Sequence, residues 1–475
     1  MGDRITDKSV PAENRMGWMR VDKLLLTMSI PMMFSMLIQA LYNIVDSVFV
    51  AQISENALTA VSLAFPMQNL IIAVATGTGV GINALLSKSL GEKNFKRANK
   101  TANTAFFLAI ISWLIFVVIG IFAIRPFFAV QTDVAEIVDG GTVYLTICCV
   151  ASIGIFVQIA TERLLQATSR ATLSMVVQIF GAVINLILDP LLIFGLLGFP
   201  KLGIMGAAVA TVTGQILSAV LGIIMNIKKN PEITINLGEI LKPEGSIIKR
   251  VYSVGVPSII MASVGSVMNF GMNKILLVFS TTAAAVFGVY FKINSFFFMP
   301  VFGLNNGLVP IMAYNYGAKK GRRMFATFKF GALYATVLLV FGFSMFMIFP
   351  GQLLKLFNAS DYMLSIGIPC LRIISISFLI AGFCIICGSV FQALGNAMLS
   401  LWVSVARQLV VLLPAAYFLA KLGGVNAVWW CYPIAEIASF TLSFIFIRKM
   451  YREKMKPYMK DDEPGVKTRK PKADS

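Results

Sequence analysis

The chain of 475 residues contains no histidine. This absence excludes His-based metal sites, Ser-His-Asp triads and histidine proton relays, and it leaves Asp and Glu to carry any proton chemistry. Charge is also scarce: 13% of the residues are charged and 57% are hydrophobic, with a mean hydropathy of +0.81. A soluble domain cannot bury that much apolar surface. The composition therefore predicts an all-α membrane protein with many spans.

Cysteine is rare as well, with six residues that all lie inside apolar stretches. Cys384 and Cys387 have the CxxC spacing that can bind metal or cycle redox states in soluble proteins. Within FLIAGFCIICGSVF we interpret them as small packing residues between helices. Because no nucleophile motif accompanies them, we expect no enzyme, no resident metal and no cofactor.

The first 23 residues are polar and lack an apolar core, so they predict no cleavable signal peptide. The formal net charge is nevertheless +18. Lys and Arg cluster at every second connection between apolar stretches, which the positive-inside rule explains better than nucleic-acid binding does. This pattern predicts a multi-pass protein of the cell membrane with both termini in the cytoplasm. The basic connections are the N-terminus, 88–100, 228–250, 319–329 and the tail from 448.

Apolar stretches of helical length predict about twelve spans, several of them longer than the ~20 residues that a membrane helix needs. They lie near 24–50, 57–87, 102–124, 140–162, 171–197, 203–227, 251–280, 283–314, 327–350, 362–392, 397–420 and 424–447. The predicted organisation is a cytoplasmic N-terminus (1–23), a six-helix N-lobe (24–227), a cytoplasmic linker (228–250), a six-helix C-lobe (251–447) and a disordered cytoplasmic tail (448–475).

The two halves are a repeat that keeps one constant register. Pro31 aligns with Pro257, Gly77 with Gly303, Gly81 with Gly307, Gly91 with Gly317 and Arg97 with Arg323. Since each half has an even number of spans, the repeats run parallel and are related by an axis along the membrane normal. Two such bundles leave a cleft between them, and rocking them gives alternating access, which favours a secondary transporter.

Two repeated features of these halves have structural interpretations. The Gly77-x-x-x-Gly81 and Gly303-x-x-x-Gly307 motifs predict close helix packing. Pro31 and Pro257, each in the first span of its half, remove a backbone hydrogen bond and bend the helix, either as a hinge or as a fixed bend.

Acidic residues interrupt two of the apolar runs, Asp46 in YNIVDSVFVAQ and Asp189 in VINLILDPLLIFG. A carboxylate at bilayer depth is costly without a partner, a proton or a cation. Helical spacing places further polar residues on the same faces, and residue counting puts the three faces at one depth. Hard oxygen ligands at one depth suit a small cation or a shared proton, whereas a purely structural role needs only hydrogen bonds. The faces comprise Ser35, Gln39, Asn43 and Asp46; Gln178, Asn185 and Asp189; and Thr211, Gln215 and Ser218.

The second half lacks this acid pair, because Met272 and Ala415 stand at the positions of Asp46 and Asp189. The asymmetry suggests that coupling resides in the N-lobe. Either structural pairing or contact with substrate in a C-lobe cleft would explain the polar residues that the second half does carry, which are Asn269, Asn273, Lys292, Arg407 and Glu436. We expect Glu162 and Arg163 to be interfacial, at a cytoplasmic helix end.

Several motifs resemble the multidrug and toxic compound extrusion (MATE) family over nearly the whole chain. They are the Pro31…Asp46 first span, LGEKNFKRANKT, LLQATSRATLSM, and Asn185-x-x-x-Asp189-Pro190 followed by GIMGAAVAT. The combination of Asp46, Asn185, Asp189 and Thr211 resembles the branch with an acidic N-lobe site, including MepA-like pumps. The resemblance implies export of cationic, lipophilic compounds by antiport. It also implies that Asp46 and Asp189 exchange the ion, with Asn185 and Thr211 as neutral ligands.

The sequence leaves open whether H⁺ or Na⁺ is the coupling ion, a transient Na⁺ being held by the same four residues. We expect small-molecule drugs and membrane lipids as partners, no nucleic acid, and a monomer. The main alternative function is a flippase for lipid-linked precursors, which needs cations in the cleft to bind a pyrophosphate. A channel is less compatible with one asymmetric acid pair.

Overall fold

A computed structural model of the protein describes residues 14–357 and 359–459. Within these ranges the chain is helical and contains no strand, as the composition predicts. The predicted N-terminal segment before residue 14 and the predicted disordered tail after residue 459 lie outside the described residues.

In the part of the chain that the structure describes, ten helices are long and apolar enough to cross a membrane, and two bent pairs of shorter helices bring the number of spans to twelve if each pair is one span. We number these spans 1 to 12 in chain order. They are Val21–Ala51, Glu55–Gly91, Phe95–Phe122, Ala135–Val150 with Ile153–Ala167, Ala171–Phe194, Ile204–Lys229, Gly245–Leu277, Thr281–Gly317, Gly321–Ile348, Asp361–Ser375 with Phe378–Ala393, Ala397–Val428, and Cys431–Met459.

The repeat extends to the ends of the helices. Spans 1 and 7 end at Ala51 and Leu277, and spans 3 and 9 end at Phe122 and Ile348, two pairs that keep the register of Pro31 with Pro257. A short helix follows span 3 (Ile124–Ala129) and another follows span 9 (Pro350–Lys355) in the same register. The bent spans also correspond, with bends of 44° in span 4 and 52° in span 10.

The local sequence explains why equivalent helices begin at equivalent residues. Spans 2 and 8 each start after a serine, Ser54 or Ser280, whose hydroxyl accepts a hydrogen bond from the backbone N–H three residues later. Such a cap satisfies one of the N–H groups that a first helical turn leaves unpaired.

Glycines of the predicted packing motifs hold the two lobes together. A Cβ on Gly77 would lie 2.4 Å from Ile259 Cγ1 of span 7, and a Cβ on Gly303 would lie 2.5 Å from Met33 Cα of span 1. Gly81 and Gly307 make equally close contacts with Val251 and Ser29. The lobes therefore pack through two equivalent interfaces, span 2 against span 7 and span 8 against span 1.

These interfaces converge on one end of the molecule, which we call the basic end; it carries the turns 92–94 and 318–320 and the segment 230–244. Here a Cβ on Gly91 would lie 2.0 Å from the Tyr314 carbonyl oxygen, and one on Gly317 would lie 2.2 Å from that of Lys88. Only glycine allows two helix ends to approach so closely.

A short helix, Arg15–Trp18, also packs at the basic end. Arg323 donates hydrogen bonds to the carbonyl oxygens of Met16 (2.9 Å) and Met19 (2.7 Å), and the Met16 side chain is fully buried. Asn14 donates to both carboxylate oxygens of Glu232, at 2.9 and 2.8 Å. The N-terminal segment thus connects the C-lobe with the segment between the lobes.

The chain remains helical beyond residue 448, where the sequence predicted a disordered tail. The last long helix ends at Met450, and π-helical and 3₁₀ turns continue to Met459. Lys454 Nζ donates to the Leu394 carbonyl (2.7 Å) and to Asn396 Oδ1 (2.6 Å), and Met455 is fully buried. The prediction failed for 448–459 because polar residues that dock on the C-lobe look like a solvated tail in the sequence.

Candidate cation site and cavity

Spans 1, 5 and 6 bring the predicted polar faces together. The carboxyl groups of Asp46 and Asp189 contact each other within hydrogen-bonding range. Asp189 is fully buried, and Asn185, one helical turn before it, is 2% exposed. The four residues that the sequence proposed as ligands therefore meet, while their role in coupling stays a prediction.

The Asn185 amide connects Asp189 to Thr211. In the orientation that satisfies both of its polar atoms, Nδ2 donates to Asp189 Oδ2 (2.8 Å), and Oδ1 accepts from Thr211 N (3.0 Å) and Thr211 Oγ1 (3.2 Å). This network leaves one buried oxygen on each acid, Asp46 Oδ1 and Asp189 Oδ1, with no hydrogen-bond partner among the described residues. A buried polar atom without a partner is costly, so both oxygens are available to a proton or a cation.

The acid pair lies beside a cavity of about 550 Å³ that is lined by N-lobe residues. Asp46 lines the cavity, whereas Asp189 lies behind it. The residues of the predicted polar faces that also line it are Ser35, Gln39, Asn43, Gln178, Asn185, Thr211 and Gln215. Gln178 Nε2 donates to Gln39 Oε1 at 2.8 Å, which ties span 5 to span 1 along the wall.

Two tyrosines that the sequence analysis missed extend the site. The Tyr42 hydroxyl is within hydrogen-bonding range of the Thr211 side chain, and the Tyr144 hydroxyl accepts a hydrogen bond from Gln68 Nε2 (2.8 Å). Both line the cavity. The position of Tyr42, four residues before Asp46, was a signal that could have identified it, because i and i+4 share a helical face.

The expectation that Glu162 and Arg163 are interfacial was wrong. Both are 8% exposed and line the cavity. Gln158 Nε2 donates to Glu162 Oε1 (3.0 Å), and Arg163 donates to Asn306 Oδ1 of the C-lobe (2.8 Å). The physical reason is that the second helix of span 4 continues to Ala167, which places both residues inside the helix rather than at its end.

The C-lobe candidates do not line this cavity. Arg407 Nη1 and Glu436 Oε2 form an ion pair at 3.2 Å, one of the two interpretations that the sequence left open. Arg407 lies in a π-helical stretch, Ala406–Leu412, and Glu436 is 4% exposed. Asn269 Oδ1 is buried without a partner among the described residues, Asn273 is half-buried, and Lys292 is exposed.

Pro31 and Pro257 lie inside the continuous helices of spans 1 and 7. Pro257 is buried and Pro31 is half-buried. Their function as hinges stays a prediction.

No group of three or more Cys, Asp or Glu side chains that could hold a metal ion occurs in residues 14–357 and 359–459. The two carboxylates, the amide and the hydroxyl of the acid site form an oxygen set of the kind that hard monovalent or divalent cations accept.

Residues 31–191 and 257–418 match the MatE family. The chain belongs to this family. The two matched segments start at Pro31 and Pro257, which is an aligned pair of the internal repeat. The protein is therefore a membrane transporter and not an enzyme, with ten to twelve spanning helices in two lobes.

Relatives of this MatE-family protein include the multidrug export proteins MepA of two staphylococci. The Staphylococcus haemolyticus protein is 25% identical over 425 residues, covering 89% of this chain and 92% of the relative. The Staphylococcus aureus (strain MRSA252) protein is 24% identical over 419 residues, covering 88% and 91%. These relatives support a multidrug efflux transporter.

Solved structures share the fold. A multidrug resistance MATE family transporter of the MOP superfamily in an outward-facing conformation superposes with a TM-score of 0.88, at 23% identity, over 94% of this chain and 100% of that chain. A MOP superfamily transporter from Pyrococcus furiosus, described by a reversed polarity of its binding pocket, gives a TM-score of 0.86 at 23% identity, over 94% and 99%.

Proposed function

We propose that the protein is a cation-coupled antiporter that exports lipophilic, often cationic compounds by alternating access. The single observation that carries this proposal is the meeting of Asp46 and Asp189, each with a buried oxygen that has no hydrogen-bond partner among the described residues, beside a cavity large enough for a drug-sized molecule. The coupling ion is H⁺ or Na⁺, and the basic end faces the cytoplasm of the cell membrane.

The electrostatics of the pair explain the coupling. Two carboxylates in contact at low dielectric cannot both remain charged without a proton or a cation between them. Loading the ion at Asp46 and Asp189 from the outside favours release of the exported compound and return of the protein to the inward-open state. A compound that enters the cavity from the cytoplasm displaces the ion and favours the reverse change. The ion acts through its different affinity for the two states.

The cavity chemistry distinguishes this function from a lipid-linked-precursor flippase. Its one lining cation among the described residues is Arg163, which adjoins Glu162 and donates hydrogen bonds to Gln166 and Asn306. A pyrophosphate needs several cations in the cleft, whereas a wall of amides, tyrosines and acids suits a cationic compound.

The test is uptake of ethidium into proteoliposomes driven by an outward gradient of either H⁺ alone or Na⁺ alone. The wild-type protein accumulates ethidium with one of the two gradients, which identifies the ion. Asp46→Asn and Asp189→Asn abolish the accumulation, because an amide cannot exchange a proton and removes the negative charge that holds a cation. Asp139→Asn is the matched control, since this exposed acid pairs with Arg125 and neither residue lines the cavity.

Gradient-driven accumulation at the wild-type rate by both Asp46→Asn and Asp189→Asn would refute the assignment of the site. Lipid scrambling without ethidium transport would favour the flippase.

A further inference from the structure

A second cavity, of about 350 Å³, lies between the lobes at the basic end. The acid pair is not part of it, and no step of the proposed transport cycle uses it. The N-lobe contributes residues 81–97 of spans 2 and 3 and their turn, and the C-lobe contributes spans 7 and 8, the turn at Gly395 and the last helix. Four cationic side chains line it: Lys88, Arg97, Arg250 and Lys454.

The cations face little negative charge. Glu92 forms an ion pair with Arg97 and lies 3.9 Å from Lys88 Nζ, and Glu453 interacts with the neighbouring Lys454. Lys88 and Lys454 both approach the Tyr316 ring, with Nζ to centroid distances of 4.8 and 5.3 Å. Four cations near two carboxylates leave a positive excess in a pocket whose low-dielectric walls strengthen its field.

Comparison of the equivalent arginines of the two halves shows that, among the described residues, Arg97 lacks the backbone oxygen partners of Arg323. Arg97 Nε donates to Ser89 Oγ (2.8 Å) and Arg323 Nε donates to Asn315 Oδ1 (3.0 Å), the same bond in the two halves. Arg323 additionally donates to the carbonyl oxygens of Met16 and Met19 from the N-terminal helix. In the N-terminal half, Arg97 pairs with Glu92 instead. The Arg250 guanidinium of the C-lobe, which lines the same cavity, has no hydrogen-bond or ion-pair partner among the described residues. Arg323 is therefore satisfied by backbone oxygens of the N-terminal helix, whereas Arg97 and Arg250 face a cavity.

We infer that this cavity binds a phosphate oxyanion, supplied by the phosphodiester headgroup of an anionic phospholipid. Arg and Lys are the side chains that bind phosphate, Arg by paired hydrogen bonds and Lys as a point charge. The pocket lies at the ends of the spans, where headgroups are found, and basic pockets between membrane helices bind such headgroups. Leu85, Val254 and Leu394 beside the cations suit the glycerol part of a lipid.

The bound headgroup bridges the lobes, because Lys88 and Arg97 belong to the N-lobe and Arg250 and Lys454 to the C-lobe. It therefore stabilises the state in which the basic end is closed, since separating the lobes would divide its ligands.

The experiment measures retention of phosphatidylglycerol and phosphatidylcholine by the purified protein with native mass spectrometry, and thermal unfolding in detergent titrated with each lipid or with inorganic phosphate. The double variant Lys88→Gln/Arg250→Gln removes one cation from each lobe. Its matched control, Lys96→Gln/Lys249→Gln, removes the same charge from exposed neighbours that do not line the cavity. Arg250→Gln alone covers the case in which the double variant does not fold.

The wild-type protein and the control retain phosphatidylglycerol in preference to phosphatidylcholine, and phosphatidylglycerol raises their unfolding temperature to a plateau. The pocket variants bind it at least about tenfold more weakly, as expected for the loss of one charge-assisted hydrogen bond. Equal retention by the double variant and its control overturns the site. No preference for phosphatidylglycerol in the wild-type protein overturns the anion, and saturation by inorganic phosphate without lipid retention overturns the lipid as its source.

Discussion

The two lobes have the same frame and different interiors. Helix ends, serine caps and interface glycines recur in one constant register, but Met272 and Ala415 occupy the positions of Asp46 and Asp189. Met272 is fully buried. The C-lobe core also contains aromatic side chains such as Tyr290 and Tyr432, whose ring centroids are 5.9 Å apart. The two lobes thus share their helix arrangement but not the acidic side chains of the N-lobe.

Each lobe nevertheless contains a buried acid, and the partners differ. Glu436 pairs with Arg407 at 3.2 Å, a cation that is part of the protein. Asp46 and Asp189 face each other, and among the described residues no cation neutralises them. An acid with a fixed counter-charge stabilises one structure, whereas an acid without one can take up and release an ion.

Moving the acid from one lobe to the other is the strongest test of this difference. Asp46→Met abolishes gradient-driven ethidium uptake, a loss of about 150-fold if coupling is worth about 3 kcal/mol. Met272→Asp in the same chain does not restore it, because the C-lobe offers no counterparts of Asn185 and Thr211. Uptake in proteoliposomes measures both. Recovery in Asp46→Met/Met272→Asp would show that the lobes are interchangeable.

Substitution of the interface glycines tests whether the two contacts between the lobes are equivalent. Gly77→Leu and Gly303→Leu each overpack an equivalent contact and destabilise the closed basic end by about 3 kcal/mol. Hydrogen–deuterium exchange at the ends of spans 2 and 8 then increases to a similar degree in both variants. Gly288→Leu is the control on span 8, because nothing lies within 4 Å of its Cβ position. A response confined to one of the two glycines would disprove the equivalence of the interfaces.

The buried acids of the two lobes also differ in how substitutions at their sites change the stability of the protein. Arg407→Gln leaves Glu436 buried without its counter-charge and destabilises the protein by about 2 kcal/mol, seen as a lower unfolding temperature. Adding Glu436→Gln recovers part of that loss. Asp189→Asn, in contrast, leaves the unfolding temperature unchanged or higher while transport is lost. An equal loss of stability in Arg407→Gln and Asp189→Asn would remove the distinction between a structural and an exchanging acid.

The smallest effect concerns the segment that joins the lobes. Burial raises the pKa of Glu232 above its usual value of 4.5, partly offset by hydrogen bonds from Asn14 and by the charge of Arg170. Since the folded state binds this proton more tightly, the contribution to stability is complete below the unfolded pKa and is lost as the pH rises through the folded one. Glu232→Gln removes this dependence, a change of less than about 1 kcal/mol, in unfolding temperatures measured between pH 4 and pH 8. An unchanged pH profile would contradict it.

The sequence predicted most of the fold because its signals are long and repeated. Apolar runs of about 20 residues indicate spans, and the constant register of Pro31 with Pro257 and of Gly91 with Gly317 indicates two halves. The juxtaposition of Asp46, Asn185, Asp189 and Thr211 was also predictable, since helical spacing and residue counting fix face and depth.

The missed residues depend on features that have no local signal. The bend of span 4 between Val150 and Ile153 occurs without proline, so residue counting gave its end too early and misplaced Glu162 and Arg163. The burial of Met455 and the hydrogen bonds of Lys454 depend on contacts with Leu394 and Asn396, which are distant in the chain. Tertiary contacts of this kind cannot be inferred from composition.

The reciprocal seating of Gly91 and Gly317 has a mechanical consequence. Each of these two helix ends rests on a carbonyl of the opposite lobe, at Tyr314 and at Lys88. If each lobe moves as a rigid body, a tilt that separates one glycine from its carbonyl contact separates the other as well. In the alternating-access cycle proposed above, this end would therefore open in one concerted movement, with no stable half-parted arrangement.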